Sequence, residues 1–479
     1  MTPQFNFLIG GRAVGDAREC FAVINPSTGE LLGEVAKASP ADVAEAVRVA
    51  QQAQPGWAAR SDQERAETIR LLAATLRDNA EQLAAWVARE QGKPLGGLGP
   101  ETVPGARFEL SACQAWCEVN ASLSVPHEVV FEDQTRRDEV MREPYGVIAA
   151  IAPWNWPLMI AIWQIVPALR MGNAVVLKPS EYTSIATLEM VRILAQVLPP
   201  GVLNVVTGAG DVGAALVQDP RIGKILFTGS TATGSRIAAI AAQRIVPTTL
   251  ELGGNDAAVV LPDADPQAIA MGLFWGAFIN MGQTCACIKR LYVHDSIHDA
   301  VVSELSDLVR AMPVGDPLAE GTVMGPIQNR MQFDKVTRLV RDTVQQGRGR
   351  VVCGGEPLPG PGYFFPLTLI TGVRDGDAIV DEEQFGPVLP IIRYDKVEEA
   401  IASANRLDLG LGASVWGQDP VQTRQVASQL QAGTVWVNQH GAVHPMVPFG
   451  GTKRSGWGVE FGVDGLKSVS TQRVISIRK

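Results

Sequence analysis

The sequence has no lysine- or arginine-rich run, no long unbroken apolar stretch, and few cysteines, histidines and aromatic residues. Each shortage excludes something. Lys and Arg total 41 against 50 Asp and Glu, a net charge of −9, so nucleic acid is not an expected partner. The most apolar segment, residues 157–169, is short and interrupted by Gln164 and Pro167, which makes it a buried helix rather than a membrane span. The N-terminus lacks a charged region followed by an apolar run, so no signal peptide is expected. Six cysteines in 479 residues do not make a disulfide framework, and a reducing cytoplasm fits their use. Neither Cys113/Cys117 nor Cys285/Cys287 has the spacing or histidines of a zinc site, and none of the five histidines forms His-x-x-x-His, so no metal is expected. What is plentiful is apolar sequence: 46 % of 479 residues implies more than one core, and two or three domains.

Ser39-Pro40-Ala41-Asp42 predicts a helix start, with a serine cap, proline in the first turn and an acid three residues on. That helix should end near Gln54. Ser61 and Glu64 repeat the signal and open a helix with Ile69, Leu72, Leu76 and Leu83 on one face. Residues 93–100 read as a glycine- and proline-rich loop, and 101–123 as a further helix. Residues 127–142 are charged and β-prone, a pattern of exposed strands in need of a partner. From Val147 onward strands alternate with helices. Strands are expected at 147–152, 174–177, 203–206, 224–227 and 249–252, with helices at 158–171, 184–198, 211–218 and 230–244. This alternation predicts an α/β fold with a doubly wound parallel sheet. A second alternating region runs from 256 to 437, and a β-prone tail at 467–477 is a candidate partner for the earlier exposed strand.

Several motifs have chemical readings beside plainer structural ones. Cys285 follows Gly282-Gln283-Thr284, where a predicted helix gives way to a loop, with Lys289 and Arg290 shortly after. It reads as a nucleophile, against the commoner fate of a buried structural thiol. Glu251 sits at a predicted strand end between apolar neighbours, where desolvation makes a carboxylate more basic; the alternative is a turn cap. Asn155, inside Pro153-Trp-Asn-Trp-Pro157, is a candidate amide donor toward developing negative charge, or simply a turn residue. Gly208-Ala-Gly-Asp-Val-Gly213 and Gly229-Ser-Thr-Ala-Thr-Gly234 each follow a strand, and together on a parallel sheet they predict a nucleotide site. Lys178 and Glu181 lie at a strand's carboxyl end, placed for ribose hydroxyls, and a carboxylate there favours NAD over NADP.

Taken together these stretches resemble the aldehyde dehydrogenase superfamily over essentially the whole chain. The resemblance is carried by Pro153-Trp-Asn-Trp-Pro157, Leu177-Lys-Pro-Ser-Glu181, Phe227-Thr-Gly-Ser-Thr231, Leu250-Glu-Leu-Gly-Gly254, Gly282-Gln-Thr-Cys285, Glu382-Glu-Gln-Phe-Gly-Pro387 and Pro448-Phe-Gly-Gly451. It implies a Rossmann-type cofactor domain (1–121 and 145–253), an α/β catalytic domain (254–447) and small oligomerisation strands (122–144 and 462–479). It further implies that Cys285 attacks the aldehyde, that Asn155 and the Cys285 N–H hold the oxyanion, and that Glu251 activates water to release the acid. NAD, with NADP as the variant, would lie against Ile151, Trp154, Lys178, Glu181, Gly210, Gly229, Ser230, Leu252, Glu383 and Phe385. On this resemblance the Gly208 turn is mainly a packing turn, with Gly210 near the adenosine. Met159, Trp163 and Met281 would line the aldehyde tunnel, favouring an uncharged aliphatic or aromatic aldehyde, unless they are core. Arg170 reads as a solvated helix end, in preference to a contact to a substrate carboxylate. Self-association as a dimer or tetramer is expected. Three rivals remain: a succinate-semialdehyde-type enzyme; a CoA-acylating relative, disfavoured by the presence of Glu251; and a silent structural relative, disfavoured because Cys285, Asn155 and Glu251 are all intact. Cys287, two residues after the nucleophile, is either a reversible disulfide partner or an inert thiol.

Overall fold

A computed structural model describes residues 2–16, 18–96 and 104–479. Its centre is an eight-stranded sheet in the order Gly456–Trp457, Thr248–Glu251, Ile222–Thr228, Val147–Ile151, Ala174–Lys178, Leu203–Val205, Phe7–Ile9, Arg12–Val14. The five strands from Thr248–Glu251 to Leu203–Val205 are mutually parallel, and the flanking strands run antiparallel. Val147–Ile151 is the first in sequence of these five strands yet the central one in space. The chain winds outward from it in both directions, so the carboxyl ends of its neighbours open a crevice there. These strands read as unbroken apolar runs because helices cover both faces.

A second sheet of seven strands takes the order Arg350–Cys353, Thr368–Thr371, Val388–Tyr394, Ile288–His294, Asp256–Val260, Gly412–Trp416, Thr434–Val437. All its pairings are parallel except that of Arg350–Cys353. The expected antiparallel partner of the tail is also present. Ser470–Arg478 pairs along its whole length with Arg136–Pro144, which in turn pairs with Glu128–Glu132. No helix among the described residues is long and apolar enough to cross a membrane.

Three expectations need correction. The helix begun at Ser39 runs on through Pro55 to Ala58, because Trp57 is buried and its indole N–H donates to Leu169 O at 2.9 Å. The helix begun at Ser61 is two helices, Asp62–Asp78 and Ala80–Gln91, because Asn79 leaves helical geometry and its amide donates back to Thr75 O. The predicted helix at 184–198 ends at Leu194. Of the helix placed at 101–123, residues 106–122 are helical and 101–103 lie outside the described residues, as does 97–100 of the preceding loop. Both serine caps form full capping boxes, with Asp42 and Glu64 reaching back to the serine N–H.

The antiparallel strand Gly456–Trp457 depends on one residue. Gly456 has φ +135°, and a Cβ there would lie 1.9 Å from Leu250 O. Gly456→Ala should therefore cost at least the ~1–3 kcal/mol of a strained backbone and lower the thermal midpoint. Gly210→Ala, whose Cβ would meet nothing within 4 Å, should leave it unchanged.

Candidate active site

The site forms where the two sheets meet. The strand Val147–Ile151 ends at a turn carrying Trp154, Asn155 and Trp156, and Pro157 then starts the next helix with its φ already set. From the other unit the helix Pro266–Phe278 passes into a short 3₁₀ turn, Ile279–Gly282, that delivers Cys285. Asn280 and Met281 hold positive φ in that turn, so the backbone is strained beside the thiol. The Asn155 carboxamide donates to Gln283 O at 2.9 Å, and Asn280 donates back to Asn155 O at 2.8 Å. One amide hydrogen of Asn155 is thus fixed two residues from Cys285, and the second is spare. Trp156 adds a third tie, its indole N–H donating to Thr284 Oγ1 at 2.9 Å.

Cys285 is half-buried. Burial pushes its thiol up to about 12; the Lys289 ammonium and the Ala286 N–H pull the other way, and Asp256 and Glu251 add to the rise. Lys289 donates to the carbonyls of Thr284 and Cys285, so the expected cation is present but spends its hydrogens on the backbone. Glu251 is at the end of its strand, 5 % exposed, with neither carboxylate oxygen hydrogen-bonded. Burial, then the neighbouring Glu460 carboxylate, holds its pKa well above the usual carboxylate range. Glu460 is itself raised by burial to about 7, opposed by Lys224. The turn-cap alternative for Glu251 fails, since it accepts no backbone N–H. The Glu251 carboxylate adds to the rise of the Cys285 thiol, and Asn155 is tied to the cysteine loop, so the three candidates lie in one region.

The dinucleotide candidates gather on the crevice side. Ser230 caps the helix Thr231–Gln243, and its N-terminus is open. Lys178 is buried with its ammonium 3.5 Å from Glu181. Gly210 opens the helix Gly210–Gln218, while Gly208 lies so near Val212 that a Cβ there would be 2.3 Å away, the close packing expected of that turn. Ile151 and Leu252 are buried strand-end residues, and Gly229 sits against the Phe227 ring. Glu383 accepts from Gly254 N at 3.2 Å and lies 3.6 Å from the Lys289 ammonium. Phe385, at φ +52°, meets Trp154 edge-on at 5.3 Å. The open helix N-terminus at Ser230 suits a pyrophosphate, and the Lys178–Glu181 pair at the end of its own strand suits ribose hydroxyls. Among the described residues no group of three or more His, Cys, Asp or Glu is placed to hold a metal.

Of the tunnel candidates, Trp163 packs on Trp116 at 5.1 Å and on Phe461 at 4.7 Å, and Phe461 stacks on Phe449. Met159 lies one turn earlier on the same helix. Met281 belongs to the core of the seven-stranded sheet with Phe274 and Phe278. Arg170 is not a solvated helix end: it is 2 % exposed, paired with Asp62, and donates to Asn120 O and Leu123 O. Glu460, Lys224, Trp116, Phe449, Phe461, Lys93 and Glu109 were not identified from the sequence. Only Phe449 lies in a quoted motif; the others stand in ordinary helix, strand or loop contexts.

Residues 14–475 match the model of the aldehyde dehydrogenase family. The chain belongs to this family. It is 37 % identical over 464 residues to a betaine aldehyde dehydrogenase of Cereibacter sphaeroides, covering 96 % of this chain and 94 % of that protein. It is 36 % identical over 488 residues to a phenylacetaldehyde dehydrogenase of Pseudomonas fluorescens, covering 98 % and 95 %. The solved NAD+ complex of an aldehyde dehydrogenase from Bacillus cereus superposes with a TM-score of 0.95 at 33 % identity, covering 99 % of this chain and 96 % of that one.

In this aldehyde dehydrogenase the deprotonated cysteine is the scarce form near neutrality, since its folded pKa is raised. Inactivation of the cofactor-free protein by iodoacetamide should therefore accelerate steadily from pH 7 to pH 10 without levelling off. A plateau near neutrality would mean the thiol is not held up by burial.

Proposed function

We propose that the protein oxidises an aldehyde to its carboxylic acid with NAD as hydride acceptor, and that NADP is the poorer cofactor. The observation that carries this is the convergence of a thiol, a half-free carboxamide and a donor-free carboxylate at one seam. Cys285 first gives up its thiol proton to solvent; the thiolate sulfur then attacks the carbonyl carbon, and the oxyanion is held by the spare Asn155 N–H and the Cys285 main-chain N–H. A nicotinamide held by Glu383 and Phe385 would supply the acceptor for the hydride lost from that carbon, and the chain is left with a thioester on Cys285. Glu251 then takes a proton from water, water attacks the thioester, and the acid departs as the thiolate is released. Glu251 suits the late step because its proton affinity is raised. The Glu181 carboxylate, 3.5 Å from the Lys178 ammonium, supports NAD, since it repels a 2′-phosphate.

Trp156, Trp163, Met159 and the aromatic wall of Trp116, Phe449 and Phe461 support an uncharged aliphatic or aromatic aldehyde as substrate. The unit built on the eight-stranded sheet is the cofactor domain in this reading, and that on the seven-stranded sheet the catalytic one. The three-stranded sheet exposes Val129, Val130, Phe131, Val474, Ile475 and Ile477, which supports self-association through it.

Cys285→Ala should abolish aldehyde-dependent NADH formation while retaining NAD binding. Glu251→Gln should still release a stoichiometric burst of NADH, with turnover falling ~100-fold or more; full turnover would remove Glu251 from its role. In an initial-rate screen hexanal and benzaldehyde should outperform betaine aldehyde and succinate semialdehyde. The reverse ranking would overturn the substrate class and leave the reaction standing.

A further inference from the structure

Lys93 and Glu109 form an ion pair with both side chains 0 % exposed, far from any solvent that would stabilise either charge. Such a pair is expensive to bury and contributes little to stability beyond what an apolar pair would. Its contacts account for its position. The Lys93 ammonium donates to Asn155 O at 3.1 Å and lies 3.6 Å from the centre of the Trp156 ring. The other Glu109 oxygen accepts from Leu158 N at 2.9 Å and Met159 N at 3.1 Å, the unpaired N–H groups at the start of the helix Pro157–Arg170. The pair therefore holds the Asn155-Trp156 turn at its carbonyl, at its indole and at the helix it leads into. Asn280 donates to the same Asn155 carbonyl, and Gln91 donates to Asn280 Oδ1 at 3.1 Å. The Asn155 main chain is clamped between two elements, and its carboxamide is left one hydrogen to spare.

We propose that Lys93 and Glu109 are positioning residues for the oxyanion-holding carboxamide of Asn155, acting on the acylation half of the reaction. This rests on the role given to Asn155 above. Donors that stabilise an oxyanion work only when fixed before the charge develops, and small displacements cost large factors in rate. Neither residue touches the aldehyde or the cofactor in this assignment; both act through the turn.

The test is a cycle in the full-length protein. The double variant Lys93→Met/Glu109→Gln removes both charges together, and glutamine keeps an oxygen for Leu158 N and Met159 N. It is compared with Asn155→Ala and with the triple variant. The readouts are the single-turnover rate of NADH formation, the rate of thioester hydrolysis, the NAD dissociation constant and the thermal midpoint. The double variant should slow NADH formation ~10–100-fold, with hydrolysis and NAD binding within about twofold. In the Asn155→Ala background the same two changes should slow NADH formation by less than about twofold. An unchanged rate in the double variant, or an equal loss with and without Asn155, would overturn the proposal. Should the double variant fail to fold, Glu109→Gln alone enters the same cycle and the same two outcomes decide. If the unmodified protein forms no NADH with any aldehyde, the functional reading fails instead, which is a separate result.

Discussion

The hydrogen bond from the Asn155 carboxamide to the Gln283 carbonyl is the tie, among the three that the Asn155-Trp156 turn makes across the seam between the two halves of this molecule, that bears directly on the chemistry placed there. Asn155 follows the central strand of the eight-stranded sheet, and Gln283 precedes a central strand of the seven-stranded one. Neither sheet alone contains a site. The first supplies Glu251, the open helix N-terminus at Ser230 and the Lys178–Glu181 pair; the second supplies Cys285, Lys289 and Glu383. The bond also polarises the amide it holds, so a single side chain both fastens the seam and keeps a hydrogen for use.

Around that seam the protein accepts unfavourable states that a purely structural core would avoid. Asn280 and Met281 hold left-handed backbone, and Glu251 has no donor at all. Local strain and desolvation of this kind persist only where the surroundings over-determine them. Here the surroundings are dense: Gly282 and Gly450 sit so close to neighbouring backbone that a side chain on either would collide.

The parallel sheet was legible because Val147, Ala174, Ile225 and their neighbours form short apolar runs punctuated by glycine and serine caps, a pattern set by local chemistry. Asn155, Glu251 and Cys285 were legible for the same reason, each lying in a compact motif. Lys93 and Glu109 were not, because a lysine in a glycine-rich loop and a glutamate on a helix look solvated until the fold buries both. Arg170 misled in the same way: Asp62, which pairs with it, is 108 residues away in sequence. Asn79 broke a helix that the apolar periodicity ran straight through, since periodicity registers a face and is blind to one residue turning out of register.

The isolation of the Glu251 carboxylate has a further consequence. A carboxylate that no protein group solvates takes its first hydrogen bond from whatever small molecule enters beside it. Its basicity is then set by that occupant, because a hydrogen bond donated to the carboxylate stabilises the charged form and lowers its proton affinity.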